Sequence, residues 1–243
     1  MQVTLVQIDN GACPYLTNRT WVSKAFQASE LAPELYEKLI DNGWRRSGTV
    51  FYRNACPGCD LCIPLRVPVD CFRPSKSQRR VMRRNSDLTV TVEELRYRDD
   101  VFELYRAYKQ HQHESSDDSS EAAFVEFLCR SPVPTLMMLY HLENKLVGTG
   151  WVDLLPSSVS SVYFAFHPEA AARSLGTYSI TQEIAYARAN GRPYLHLGFC
   201  VPGSRKMEYK ARFHPNEALI DGAWQRNYPI TATGHRSGRT QVS

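Results

Sequence analysis

The spacing of apolar and polar positions changes period several times along the chain, and each change marks an element. In LAPELYEKLIDNGWRRSG, the residues Leu31, Leu35, Leu39 and Ile40 form an apolar stripe at helical spacing. Pro33 suits a first turn and Gly43 a C-terminal stop, so this stretch predicts one helix. TVFYR and IPLRVPV alternate as strands, with Pro64 and Pro68 marking edges or ends. Arg73 to Asn85, RPSKSQRRVMRRN, predicts a helix with Lys76, Arg79, Arg80, Arg83 and Arg84 on one face and Val81 and Met82 on the other. LTVTVEELRY alternates again. Then DDVFELYRAYKQHQ reads as a helix, ESSDDSSE as a polar loop and EAAFVEFLCR as a second helix. Three strand-like runs follow, TLMMLYHL, KLVGTGWVDLL and SVSSVYFAF, with a tight turn at Glu143–Asn144 between the first two. RSLGTYSITQEIAYARANG predicts a helix stopped by Gly191, PYLHLGF a buried strand, RKMEYKARF a short helix and EALIDGAWQ a last strand.

Two helices, an antiparallel meander, a helix, a strand, a helix and a strand make an α/β (α+β) pattern. That order resembles the acetyltransferase-like (GNAT) fold. It implies a smaller mixed α/β N-terminal domain over residues 1–98 and a GNAT-like acyltransferase domain over 99–227. The polar tail, 228–243, is expected to be disordered. The length of 243 residues allows one large domain or two modest ones.

Charge adds a site. The net charge of +4 says little, but its distribution is uneven. Arg73–Arg84 holds six basic residues and no acidic one, and a smaller cluster lies at Arg205, Lys206, Lys210 and Arg212. Like charges at i,i+3 or i,i+4 cost about 0.2–0.5 kcal/mol per pair, a cost a fold carries when a polyanion is to be bound. No run of eighteen apolar residues exists, and the N-terminal stretch lacks a signal peptide's basic and apolar regions. The expectation is a cytoplasmic protein that does not enter a membrane. Seven cysteines then read as thiols or a metal site rather than disulfides. CPGCDLC sets Cys56, Cys59 and Cys62 in two interlocking C-x-x-C steps, with Cys13 or Cys71 as a fourth ligand. An iron–sulfur cluster, zinc and free thiols all remain open. Cys129 and Cys200 read as buried small hydrophobes.

Arg173 to Tyr178, RSLGTY, precedes a helix in the manner of a pyrophosphate-binding turn. Tyr178 stands where a small residue is usual and should crowd a coenzyme A pyrophosphate.

Taken in order, ACPYL, NGWRRSGTVFYR, CPGCDLCIPLRVPV, SKSQRRVMRRN, WVDLLP, SSVYFAFHP, RSLGTYSITQEIAYA, PYLHLGF and GSRKMEYKARFHPNE resemble the aminoacyl-tRNA–protein transferases. The likeness is to the short bacterial aspartate/glutamate leucyltransferases, relatives of the eukaryotic arginyl-tRNA–protein transferases, and runs from about Cys13 to Trp224. It implies transfer of leucine, with arginine as the alternative, from aminoacyl-tRNA to the α-amine of proteins beginning with Asp or Glu. The product is a degradation signal. The ester is already activated, so no cofactor is required for the transfer. A coenzyme A-dependent N-acyltransferase on the same fold is the competing reading. The basic side chains Arg79, Arg80, Arg83, Arg84, Arg173, Lys206, Lys210 and Arg212 are expected to face one cleft and hold tRNA phosphates and the acceptor carboxylate. Asp153 is the candidate to orient or deprotonate the amine. Tyr163 and Tyr209 are candidates for holding the terminal adenosine or the leaving hydroxyl. Gln112 stands where the related sequences carry Arg, and Ser204 where they often carry Cys.

Overall fold

The computed structural model describes residues 4–111 and 119–230. The chain begins with a hairpin, β1 (Val6–Ala12) and β2 (Thr20–Gln27), followed by α1 (Pro33–Asp41), β3 (Arg45–Ser47) and β4 (Val50–Asn54). Next come β5 (Ile63–Pro68), α2 (Lys76–Arg84), β6 (Leu88–Glu94), α3 (Asp99–His111) and the single turn α4 (Glu121–Phe124). The meander β7 (Thr135–Leu142), β8 (Lys145–Leu154) and β9 (Ser158–Phe166) leads into α5 (Leu175–Ala189) and β10 (Tyr194–Cys200). A 3-10 turn at Glu208–Arg212 and the hairpin β11 (Glu217–Ile220) and β12 (Ala223–Arg226) complete it.

β1, β2, β4 and β3 form a four-stranded sheet, and the other strands an eight-stranded sheet in the order β12-β11-β5-β10-β9-β8-β7-β6. The large sheet takes strands from both sides of residue 98. Its central strands are apolar on both faces because helices cover both. On β7, Met137 and Leu139 pack with Val101, Leu104 and Tyr105 of α3, while Met138 and Tyr140 pack with Ile180 and Ile184 of α5. Among the described residues no helix is long and apolar enough to cross a membrane.

Several expectations change. The β1–β2 hairpin was not predicted, because β1 is exposed along its whole length and carries no burial pattern to read. Leu35 is exposed on α1, whose buried residues are Tyr36 and Ile40. EAAFVEFLCR continues from α4 into a π-helical turn at Val125–Cys129. EALIDGAWQ is a hairpin rather than one strand, turned by Asp221 and Gly222 at φ of 51° and 79°. Tyr228 and Ile230, placed in the tail, pack against the main core, and the tail beyond lies outside the described residues. So do Gln112 and the acidic loop that follows it.

One feature of the large sheet positions the site. Parallel β9 and β10 pair only through Ser158–Ser160 and Tyr194–His196, and then part. β10 stays with β5 to Cys200, with a register shift between His196 and Gly198. A wedge-shaped gap opens between β9 and β10 where α5 begins.

Candidate active site

The gap opens into a cavity of 660 Å³. Its walls come from β3, β9, the first turns of α5, the end of β10 and the segment from Arg205 to Lys210. Among the described residues five cationic side chains line it, Arg45, Arg46, Arg205, Lys206 and Lys210, and no carboxylate does. Such a concave, one-signed lining concentrates anions. The other wall is aromatic. Tyr163 meets Phe127 with ring centroids 5.2 Å apart, and Tyr108 meets Phe166 at 5.1 Å. A base or an apolar side chain can stack there while phosphate or carboxylate faces the cations.

Arg45 fills the wedge itself. Its guanidinium donates to Ser160 Oγ at 2.9 Å and to the Ser161 carbonyl. Beneath it lies Gly198, at φ +77°, where an added Cβ would stand 3.4 Å from Arg45 Nη2. Gly198→Ala therefore meets a strained backbone, with the new methyl in ordinary contact with the guanidinium. The strained backbone alone costs about 1–3 kcal/mol. Thermal unfolding should show a lowered Tm, with the Arg45 guanidinium left in place.

Arg46 commits four of its five N–H donors to protein acceptors. It makes a two-point ion pair with Asp153, 2.7 Å from Nε to Oδ2, and donates to the Gly48 carbonyl at 3.1 Å and to Thr135 Oγ1 at 3.0 Å. Thr135 in turn donates to Asp153 at 2.7 Å. The expectation that Asp153 orients or deprotonates the amine is corrected here. Its carboxylate is fully buried, committed to Arg46 and Thr135, and absent from the cavity lining. It is a positioning residue for Arg46.

Glu183 sits on α5 behind the wall. It is fully buried, and Ser161, a lining residue, donates to its Oε1 at 3.3 Å. Its Oε2 has no partner. Burial pushes this carboxyl up to about 8. Burial, with Arg45 next, brings Lys210 down to about 8. Tyr209 lines the cavity, and burial holds its phenol protonated as a hydrogen-bond donor.

Two family descriptions match the chain: "Arginine-tRNA-protein transferase, N terminus" over residues 11–80 and "Arginine-tRNA-protein transferase, C terminus" over residues 100–220. The chain belongs to this family. An aspartate/glutamate leucyltransferase of Marinobacter nauticus is 36% identical over 216 residues, spanning 88% of this chain and 91% of that protein. One of Stenotrophomonas maltophilia is 40% identical over 198 residues, 78% and 79% of the two chains. Among solved structures, FemX is similar at a TM-score of 0.47 and 10% identity, covering 84% of this chain and 81% of that one.

Of the residues the family resemblance pointed to, Tyr163, Tyr209, Lys206 and Lys210 line the cavity. Arg79, Arg80, Arg83 and Arg84 do not; they stand exposed on α2 outside it. Arg173 is also outside, in a two-point pair with Asp87 at 2.9 Å. Arg212 is exposed, and its carbonyl accepts from Gln78 of α2 at 3.3 Å, so the two basic elements are neighbours without sharing the cavity. Tyr178 points away from the turn into the core, 6.0 Å from Tyr140, so it does not crowd the cavity as expected. Arg45, Arg46, Ser161, Glu183 and Arg205 were not singled out as site residues. The paired arginines of NGWRRSG and a carboxylate amid the apolar run of ITQEIAYA were the available signals.

Cys56, Cys59 and Cys62 lie in the loop between β4 and β5, where Gly58 turns at φ +62°, and Cys13 in the loop of the β1–β2 hairpin. Burial pushes the Cys62 thiol up to about 12, helped by the neighbouring Cys56, Cys59 and Cys13. Their chemistry suits an iron–sulfur cluster or zinc. As placed, however, no three His, Cys, Asp or Glu side chains among the described residues are grouped to hold a metal ion.

Proposed function

We propose that the chain transfers leucine from leucyl-tRNA to the α-amine of proteins beginning with Asp or Glu, and so marks them for degradation. The observation that carries this reading is the cavity lined by five cations and an aromatic wall, with no carboxylate among the described lining residues, in a chain of this family. The cations suit the two anionic partners, a tRNA acceptor end and an acidic N-terminus. The aromatic wall suits the terminal base and the leucine side chain. The exposed arginines of α2 suit the phosphates farther along the acceptor arm. An aminoacyl ester is activated already, so positioning and oxyanion stabilisation supply the rate, and no cofactor is needed. Charged tRNA makes the cytoplasm the place of action.

The test is incubation with radiolabelled leucyl-tRNA or arginyl-tRNA and peptides beginning with Asp, Glu or Ala. Label from leucyl-tRNA on the Asp and Glu peptides alone is the expected result. Label on the Ala peptide to the same extent, or modification that depends on acetyl-coenzyme A, overturns the reading.

A further inference from the structure

We propose that Lys210 is a catalytic residue of this transfer, carrying the proton from the attacking amine to the leaving ribose oxygen. The inference rests on the transfer reading above. Lys210 lines the cavity and has no carboxylate within ion-pair distance among the described residues, unlike Arg46, which is paired with Asp153. Its surroundings keep it from being a simple anion binder. Arg45 faces it from β3, Glu183 from α5 and Cys200 from β10. Around Glu183 stand Ser161 of β9, Tyr140 of β7 and Tyr209, whose hydroxyl lies over Gly176 at the start of α5. Burial and Arg45 favour the neutral amine of Lys210, and Glu183 and Cys200 oppose them, leaving it poised near 8. A proton carrier works best when its pKa is near the operating pH.

The step balances. The acceptor α-amine, entering neutral, forms the C–N bond to the ester carbonyl carbon. Its nitrogen gives one proton to the Lys210 amine. The bond between the carbonyl carbon and the ribose oxygen breaks with its electron pair on oxygen. That oxygen takes the proton back from Lys210, so amide and free tRNA hydroxyl are formed and the lysine returns neutral.

The experiment is single-turnover leucine transfer to a saturating Glu peptide from pH 6 to 9, for wild type, Lys210→Arg, Glu183→Gln and Arg45→Gln. Lys210→Arg keeps a cation but cannot carry the proton. Its rate should fall about a hundredfold or more, with peptide KM little changed. The wild-type rate should rise with pH and level off near 8. The acceptor amine titrates in the same range, so the shift between variants is what reports Lys210. Removing Arg45 should move the bend to higher pH, whereas Glu183→Gln should move it little, because burial already keeps that carboxyl protonated below about 8. A Lys210→Arg enzyme within threefold of wild type overturns the proposal. So does a bend that Arg45→Gln does not move, and this decides the matter if Lys210→Arg fails to show a folded circular dichroism spectrum. Absence of any leucine transfer by the wild type overturns the transfer reading as well.

Discussion

Asp153→Ala is expected to cost about 3–5 kcal/mol of stability, because it strands the Arg46 guanidinium in the interior without its counter-charge. The side chains of Arg46 and Asp153 are only 3% and 0% exposed. Arg46 keeps the Gly48 carbonyl and Thr135 as acceptors, but neither carries a charge. Against a total of about 5–15 kcal/mol for an ordinary domain, the loss is large. A lower urea midpoint with an unchanged slope would report it. Replacing both partners, as Arg46→Met with Asp153→Leu, should restore most of the stability, since the penalty comes from the unpaired charge and not from the lost bond. If Asp153→Ala unfolds at the wild-type midpoint, the carboxylate is not holding β3 to the meander. The double variant separates fold from function. It should be stable, so any change in its transfer rate reports the Arg46 side chain in the cavity wall and not a loss of fold.

The second large effect concerns the acceptor. Arg205 lines the cavity at its exposed side and makes no ion pair or hydrogen bond among the described residues. Arg45 and Arg46 are anchored by protein groups, whereas all five N–H donors of Arg205 are open to a substrate carboxylate. Arg205→Gln should lower kcat/KM for a peptide beginning with Glu by about ten- to a hundredfold, the value of a hydrogen bond to a charged group. The same change should hardly affect a peptide beginning with Gln, so the preference collapses. Equal losses on both peptides would assign Arg205 to the tRNA instead, since phosphate contacts are blind to the acceptor.

What could be read before folding follows from which forces leave a local trace. The meander and α5 were legible because their burial imposes a pattern, as Met137, Leu139 and Met138, Tyr140 alternate between two helices. The hairpin of β1 was not, since an exposed strand has no apolar period. α2 announced itself by charge, and its face was correctly drawn, with Val81 packed against the core and the arginines outside. What charge could not tell was where that face points. Lys206 and Lys210 enter the cavity while Arg79, Arg80, Arg83 and Arg84 stay outside it, a matter of long-range topology. Asp153 failed as a candidate base for the same reason. Its partner Arg46 lies 107 residues earlier, and nothing local to WVDLL records that pairing. The meeting of Glu183, Lys210 and Arg45 likewise joins a helix, a late turn and an early strand.

The central claim is that leucyl ester and acidic N-terminus meet in the cavity between β9, β10 and α5. Photo-crosslinking tests it most directly. A peptide beginning with Glu and carrying a diazirine on its second residue is irradiated with the protein and leucyl-tRNA, and the adducts are mapped by mass spectrometry. Adducts on β9 residues near Tyr163, on the start of α5 and on Arg205 to Lys210 are the expected result. Adducts concentrated on the cysteine loop or the exposed face of α2, with the cavity residues unlabelled, would contradict the account.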